Sequence, residues 1–103
     1  MFGKKERKLR VLFIDEKNDL TSQLAEYFTK EYFGDRYEVY SAGPKQDLID
    51  CELISVMYRM GKDMRRQVSK DFRDRDRLRD DEDYDIVIFL REKVFDEWAN
   101  RTP

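Results

Sequence analysis

Val11-Leu12-Phe13-Ile14-Asp15-Glu16-Lys17-Asn18-Asp19-Leu20-Thr21-Ser22-Gln23-Leu24-Ala25-Glu26 passes from an unbroken apolar run, through a polar loop, into a helical pattern. A short continuous apolar run is what a strand covered on both faces requires. Leu20, Leu24, Tyr27 and Phe28 then recur on one helical face, which predicts a helix over residues 21–32 with Gly34 beyond its end. A buried parallel strand feeding a helix aims free backbone N–H groups at one spot, and such a spot favours an oxyanion. Here the spot carries Asp15, Glu16 and Asp19, opposed within the stretch by Lys17. The frame suits phosphate, yet the residues on it are acidic.

Outward from this stretch, residues 37–40 resume strand character and Ser41-Ala42-Gly43-Pro44 breaks it, completing a right-handed βαβ unit. Ile49, Leu53, Val56, Met57 and Met60 keep step with a helical period over 46–60, and Gly61 stands where a left-handed cap belongs. Cys51 falls off that stripe and is expected to be a packing residue. Residues 70–83 interleave Arg73, Arg75, Arg77 and Arg79 with acids, so charge neutralises locally and a solvated loop or short helix is expected. A second apolar run, 86–90, pairs with 11–14 in a parallel sheet. The helix over 92–100 brings Val94, Phe95 and Trp98 to seal one face. The expected architecture is a three-layer α/β sandwich with a short parallel sheet in strand order 2-1-3, or that sheet with one more strand. Its edges lie near the surface, so self-association is expected there or through an uncovered face.

The 103 residues make one domain, with 1–9 a basic, flexible lead-in. Charged residues reach 43 % against a norm of about 25 %, so the interior must come from the few apolar runs; the 14 % aromatic share argues against disorder. Net charge is −2, from 21 basic and 23 acidic residues, so no field favours nucleic acid, and none is expected as a partner. No apolar run approaches the roughly 18 residues that cross a bilayer, so no membrane contact and a cytoplasmic location are expected. A single cysteine and no histidine remove an internal disulfide, the commonest general base and the commonest metal ligand. No metal and no cofactor are expected.

The ordered set Asn18, Ser22, Ala25 and Glu26; Ser41-Ala42-Gly43; Met57, Gly61 and Asp63; Ser69-Lys70; and Asp83-Tyr84-Asp85-Ile86-Val87-Ile88 resembles the low-molecular-weight protein tyrosine phosphatases and the arsenate reductases that share their fold. The resemblance implies a flavodoxin-like, phosphotyrosine phosphatase I-like fold. It also implies a phosphate loop of form Cys-x5-Arg-Ser, whose nucleophilic cysteine falls on Asp15 and whose clamping arginine falls on Thr21. A carboxylate is a poorer nucleophile than a thiolate and repels a dianion, and one hydroxyl does not replace a planar cation with five donors. The phosphatase branch further needs an aspartate beyond the third strand, past Pro103, and the reductase branch needs more cysteines than Cys51.

The expectation is therefore a domain that is no enzyme, with no catalytic residue, acting as a binding, regulatory or scaffolding module toward a protein partner or a second copy. Its altered loop comprises Asp15, Glu16, Lys17, Asn18, Asp19, Thr21 and Ser22, with Ser41 as a neighbour at the end of the next strand. Asp19 or Thr21 would cap the helix, and Asn18 would take a left-handed backbone angle or tie the loop by hydrogen bonds. Tyr58, Phe72 and Trp98 are candidate partner contacts. Two alternatives stand beside this. One is Mg²⁺-dependent phosphoryl transfer with Asp15 as nucleophile and Glu16 and Asp19 as metal ligands. The other is nucleic-acid contact through the basic arm and the arginine-rich segment.

Overall fold

The structure, a computed structural model, describes residues 7–101, the side chains of 97–101 excepted. Strand β1 (Leu9–Ile14) leads to helix α1 (Thr21–Phe33), β2 (Tyr37–Ala42), α2 (Cys51–Arg59), a 3-10 turn (Asp81–Asp83), β3 (Ile86–Phe89) and α3 (Glu92–Arg101). The strands form one parallel sheet in order β2-β1-β3, with Leu12 beside Tyr40 and Val87, and Ile14 beside Ala42 and Phe89. Partners in a parallel register share a face, so these residues make one side of the sheet. Leu12, Ile14 and Ala42 are buried there under Val94 of α3, and Phe72, Leu78 and Tyr84 pack against the same cluster. The expected class and strand order are present.

Charge governs the connection to β3. Arg73 pairs with Asp71, Arg75 with Asp80, Arg77 with Asp74, and Arg79 with Glu38 and Asp83. The arginines of this loop are thus met by carboxylates, as the alternating sequence implied, while Phe72 and Leu78 anchor it to the core.

Several boundaries differ from the sequence expectation. Helix α2 starts at Cys51, not 46, because Asp50 accepts the Glu52 N–H at 2.8 Å and the Asp47 N–H is drawn to Ser69 Oγ at 3.0 Å. Cys51 is accordingly exposed at the helix start, not packed. Gly61 has the expected left-handed angle, φ 84°, and the Lys62 N–H turns back to the Met57 carbonyl at 2.8 Å. Of the candidate partner contacts, Tyr58 is exposed under Arg65 and Phe72 packs on the core; the Trp98 side chain lies outside the described residues.

The larger difference is the face of α1 that is buried. Ser22, Gln23 and Glu26 are inside, whereas of the apolar stripe Leu24, Tyr27 and Phe28 are only half-buried and Leu20, just before the helix, is 47 % exposed. An apolar stripe ordinarily turns toward the core, but polar partners on residues 67–70 draw the opposite side of this helix inward. Ile86 and Ile88 are also left partly exposed, so β3 is an edge strand with one open face.

Residues 7–9 belong to the fold and not to the expected flexible lead-in. Arg7 grips Asp85 with two hydrogen bonds of 2.7 and 3.0 Å, Lys8 Nζ donates to the Gly34 carbonyl at 2.7 Å, and Leu9 opens β1. The rest of that lead-in, 1–6, lies outside the described residues. Asp85 also accepts the Arg10 N–H at 2.8 Å, and Arg7 above all lowers its carboxyl from 3.8 to about 2. A carboxyl depressed in the folded state stabilises fully above its ordinary value, and that stabilisation fades as pH falls through about 2. Asp85→Asn is therefore expected to lower the urea midpoint at neutral pH, with the gap to the wild-type chain narrowing as the acid limb is descended. A constant gap across that limb would show that the charge is not the cause.

Candidate functional site

At the carboxyl end of β1 the backbone turns under its own side chain. Asp15 is 4 % exposed; its Oδ1 accepts the Asn18 N–H at 2.6 Å and its Oδ2 the Ser22 N–H at 2.8 Å. One carboxylate thus receives the amides that converge on the start of α1, where the helix field favours negative charge. The expected caps, Asp19 and Thr21, do not do this. Leu20 occupies the cap position with no side-chain bond, and the anion comes from five residues before it.

Asn18 takes both of its expected roles. Its φ is +52°, in the left-handed region where asparagine is tolerated. Its fully buried side chain donates from Nδ2 to Ser22 Oγ at 2.8 Å, and its Oδ1 accepts Gln23 Nε2 at 2.9 Å and the Lys70 N–H at 2.7 Å. Gln23 Nε2 also reaches the Val68 carbonyl, and Gln67 Nε2 donates to Gln23 Oε1 at 2.7 Å. These bonds pull the polar side of α1 inward, since buried amides need every partner they can reach. Gly43 closes the loop from β2. A Cβ there would lie 2.5 Å from the Asp15 carbonyl, so only glycine lets the two segments approach this closely.

The remaining loop residues lie further out. Glu16, Lys17, Asp19 and Thr21 line a pocket of about 270 Å³ together with Asp15 and Arg91. Lys17 also pairs loosely with Asp47 at 3.8 Å. Arg91 was not among the expected site residues. Strand order 2-1-3 carries the signal for it, because a residue just past β3 emerges beside the loop that follows β1.

Ser41 is buried near the end of β2, and no hydrogen bond links its side chain to the loop among the described residues. Its hydroxyl donates to Glu26, which also faces Lys30 at 2.8 Å and the buried Lys70 at 3.4 Å. Burial lowers the Lys70 ammonium from its ordinary value, with Glu26 opposing part of the shift. Among the described residues, no group of three or more Cys, Asp and Glu is placed to hold a metal ion. No helix among them is long and apolar enough to cross a membrane.

Comparison with known proteins places this geometry. The family model for low molecular weight phosphotyrosine protein phosphatase matches residues 10–102. An arsenate reductase of Bacillus cereus is 34 % identical over 64 residues, 62 % of this chain and 48 % of that protein. The chain thus spans about half the length of the curated relatives it matches. Among solved structures, an arsenate reductase in a phosphate-binding state aligns with TM-score 0.68 and 29 % identity over 80 % of this chain and 60 % of its own. A low molecular weight protein tyrosine phosphatase from T. tengcongensis aligns with TM-score 0.72 and 22 % identity over 93 % and 67 %. The Erwinia amylovora tyrosine phosphatase amsI, at 20 % identity, TM-score 0.72 and coverages of 99 % and 66 %, shares the fold. The arsenate reductases among them are enzymes by name, and that overturns the expectation that the chain is no enzyme; the altered loop alone was too narrow a ground for it. The chain belongs to the low molecular weight phosphotyrosine protein phosphatase family.

Proposed function

We propose that this domain serves its family as a binding or regulatory module toward a protein partner, built round a phosphate-type loop that carries its own anion. The observation that carries the reading is the Asp15 carboxylate, buried and bonded through both oxygens to the Asn18 and Ser22 amides. Those donors are what a phosphate oxygen would need at this junction. A covalently attached anion has no translational freedom to lose, so it outcompetes a free one at ordinary concentrations. The same two bonds weigh against Asp15 as a metal-assisted nucleophile, because the carboxylate is committed to holding the loop. The paired arginines of 73–79 weigh against a nucleic-acid role.

The test is an amide-resolved NMR titration of the chain with inorganic phosphate. At millimolar phosphate the Asn18 and Ser22 amides are expected to stay in place, without a saturating shift. Saturation at those two amides would overturn the proposal, because a loop that admits a free anion is not filled by its own.

A further inference from the structure

A second cleft, of about 590 Å³, opens away from this loop between α1, the middle of β2 and residues 63–70. Its walls include Tyr27, Val39, Tyr40 and Val68, and its rim is charged. Four cations line it, Lys30, Arg66, Lys70 and Arg77, against the carboxylates of Glu26, Glu31 and Asp63, leaving one positive charge in excess.

The carboxylates are already engaged. Glu26 is met by Lys30 and Lys70, Glu31 by Lys62, and Asp63 by two bonds from the Arg65 guanidinium. Arg77 is likewise tied, to Asp74 at 3.0 Å. Arg66 differs. It makes no hydrogen bond or ion pair with the described residues and acts on Asp63 only through space. An exposed guanidinium with all five donors unspent, beside apolar and aromatic walls, is a ready partner for a planar oxyanion.

We propose that this cleft binds a small organic monocarboxylate with an aromatic or branched apolar body, its carboxylate gripped by Arg66 and its body laid against Tyr27 and Val68. The volume falls in the range of small-molecule sites, roughly 300–1,000 Å³. A carboxylate suits a site that offers one uncommitted guanidinium, Arg66, whereas a phosphate dianion would add repulsion from the three carboxylates on the rim. The cleft has a fixed floor, since Lys70 and Ser41 are both bound to Glu26 beneath it. This inference rests on residues that the loop reading does not use.

The experiment is an NMR titration of the chain with phenylacetate and, separately, with the neutral phenylacetamide, repeated on Arg66→Met. Saturating shifts of the Tyr27, Arg66 and Lys70 amides are expected with phenylacetate. Affinity is expected to fall about tenfold or more for the amide and for the variant, the scale set by losing a charge-assisted bidentate contact. Because Arg66 is exposed and makes no bond to the described fold, the variant is expected to give a dispersed spectrum that makes the comparison valid. Three results would overturn the inference: no saturation with phenylacetate, equal affinity for acid and amide, or equal affinity in Arg66→Met. Shifts confined to residues 15–22 would overturn it too, and would bear on the loop instead.

Discussion

Asp15→Ala is expected to remove at least about 3 kcal/mol of stability, and millimolar phosphate is expected to return part of it. The loss has two sources. Two buried N–H groups, on Asn18 and Ser22, lose their acceptor, at about 1–3 kcal/mol each when no water reaches them. The start of α1 also loses the negative charge that its field stabilises, a term on the order of 1 kcal/mol. The substitution recreates an unoccupied group of converging donors that phosphate can fill, and a ligand that binds only the folded chain stabilises it by mass action. Urea denaturation followed by circular dichroism reads both effects. Phosphate should raise the midpoint of Asp15→Ala and leave that of the wild-type chain unmoved, with chloride at matched ionic strength as the control. A loss below about 1 kcal/mol would mean that water already serves those amides and that the buried contact is weak. An equal phosphate effect on both proteins would place the anion elsewhere.

The sheet was legible because its signal is local. Two unbroken apolar runs, Val11–Ile14 within β1 and Ile86–Phe89 as β3, need only their own composition to declare a strand. The helical segments between the strands then point to a parallel arrangement. The helix after the loop was found for the same reason, but its orientation was not. Hydrophobic periodicity assumes that polar residues face water, and Gln23 and Glu26 break the assumption because their partners come from far along the chain. Gln23 meets Val68 and Glu26 meets Lys70, 45 and 44 residues away in sequence. No local pattern reports such pairings. The capping carboxylate was misplaced for a related reason. Cap rules look for an acceptor at the helix boundary, whereas Asp15 reaches the Ser22 amide across a loop seven residues long in sequence separation. The acidic composition of the loop locates the anion's neighbourhood, but not which residue fills it.

Asn18 is the position where backbone and side chain demands coincide, so its substitutions separate the two. Asn18→Ala is expected to lose about 4 kcal/mol. It strips partners from the Lys70 N–H, from Ser22 Oγ and from Gln23 Nε2, and it forces a Cβ-bearing residue without local hydrogen bonds to keep φ near +52°. Asn18→Gly loses the same side-chain bonds but none of the left-handed strain, so it should recover on the order of 1 kcal/mol relative to alanine. Asn18→Asp keeps an acceptor for Lys70 and Gln23, yet it replaces the donor to Ser22 with a second buried carboxylate beside Asp15. Repulsion there is expected to bring the loss near that of alanine. Hydrogen exchange gives an independent readout, because the Lys70 amide has Asn18 Oδ1 as its acceptor and should lose protection in the alanine and glycine variants while keeping it in the aspartate one. If glycine and alanine prove equally stable, the left-handed angle is not what selects asparagine. If all three stay within about 1 kcal/mol of the wild-type chain, the bonds from loop to residues 67–70 do not hold α1 in its polar-side-in orientation, and the buried network is a consequence of the fold and not a cause of it.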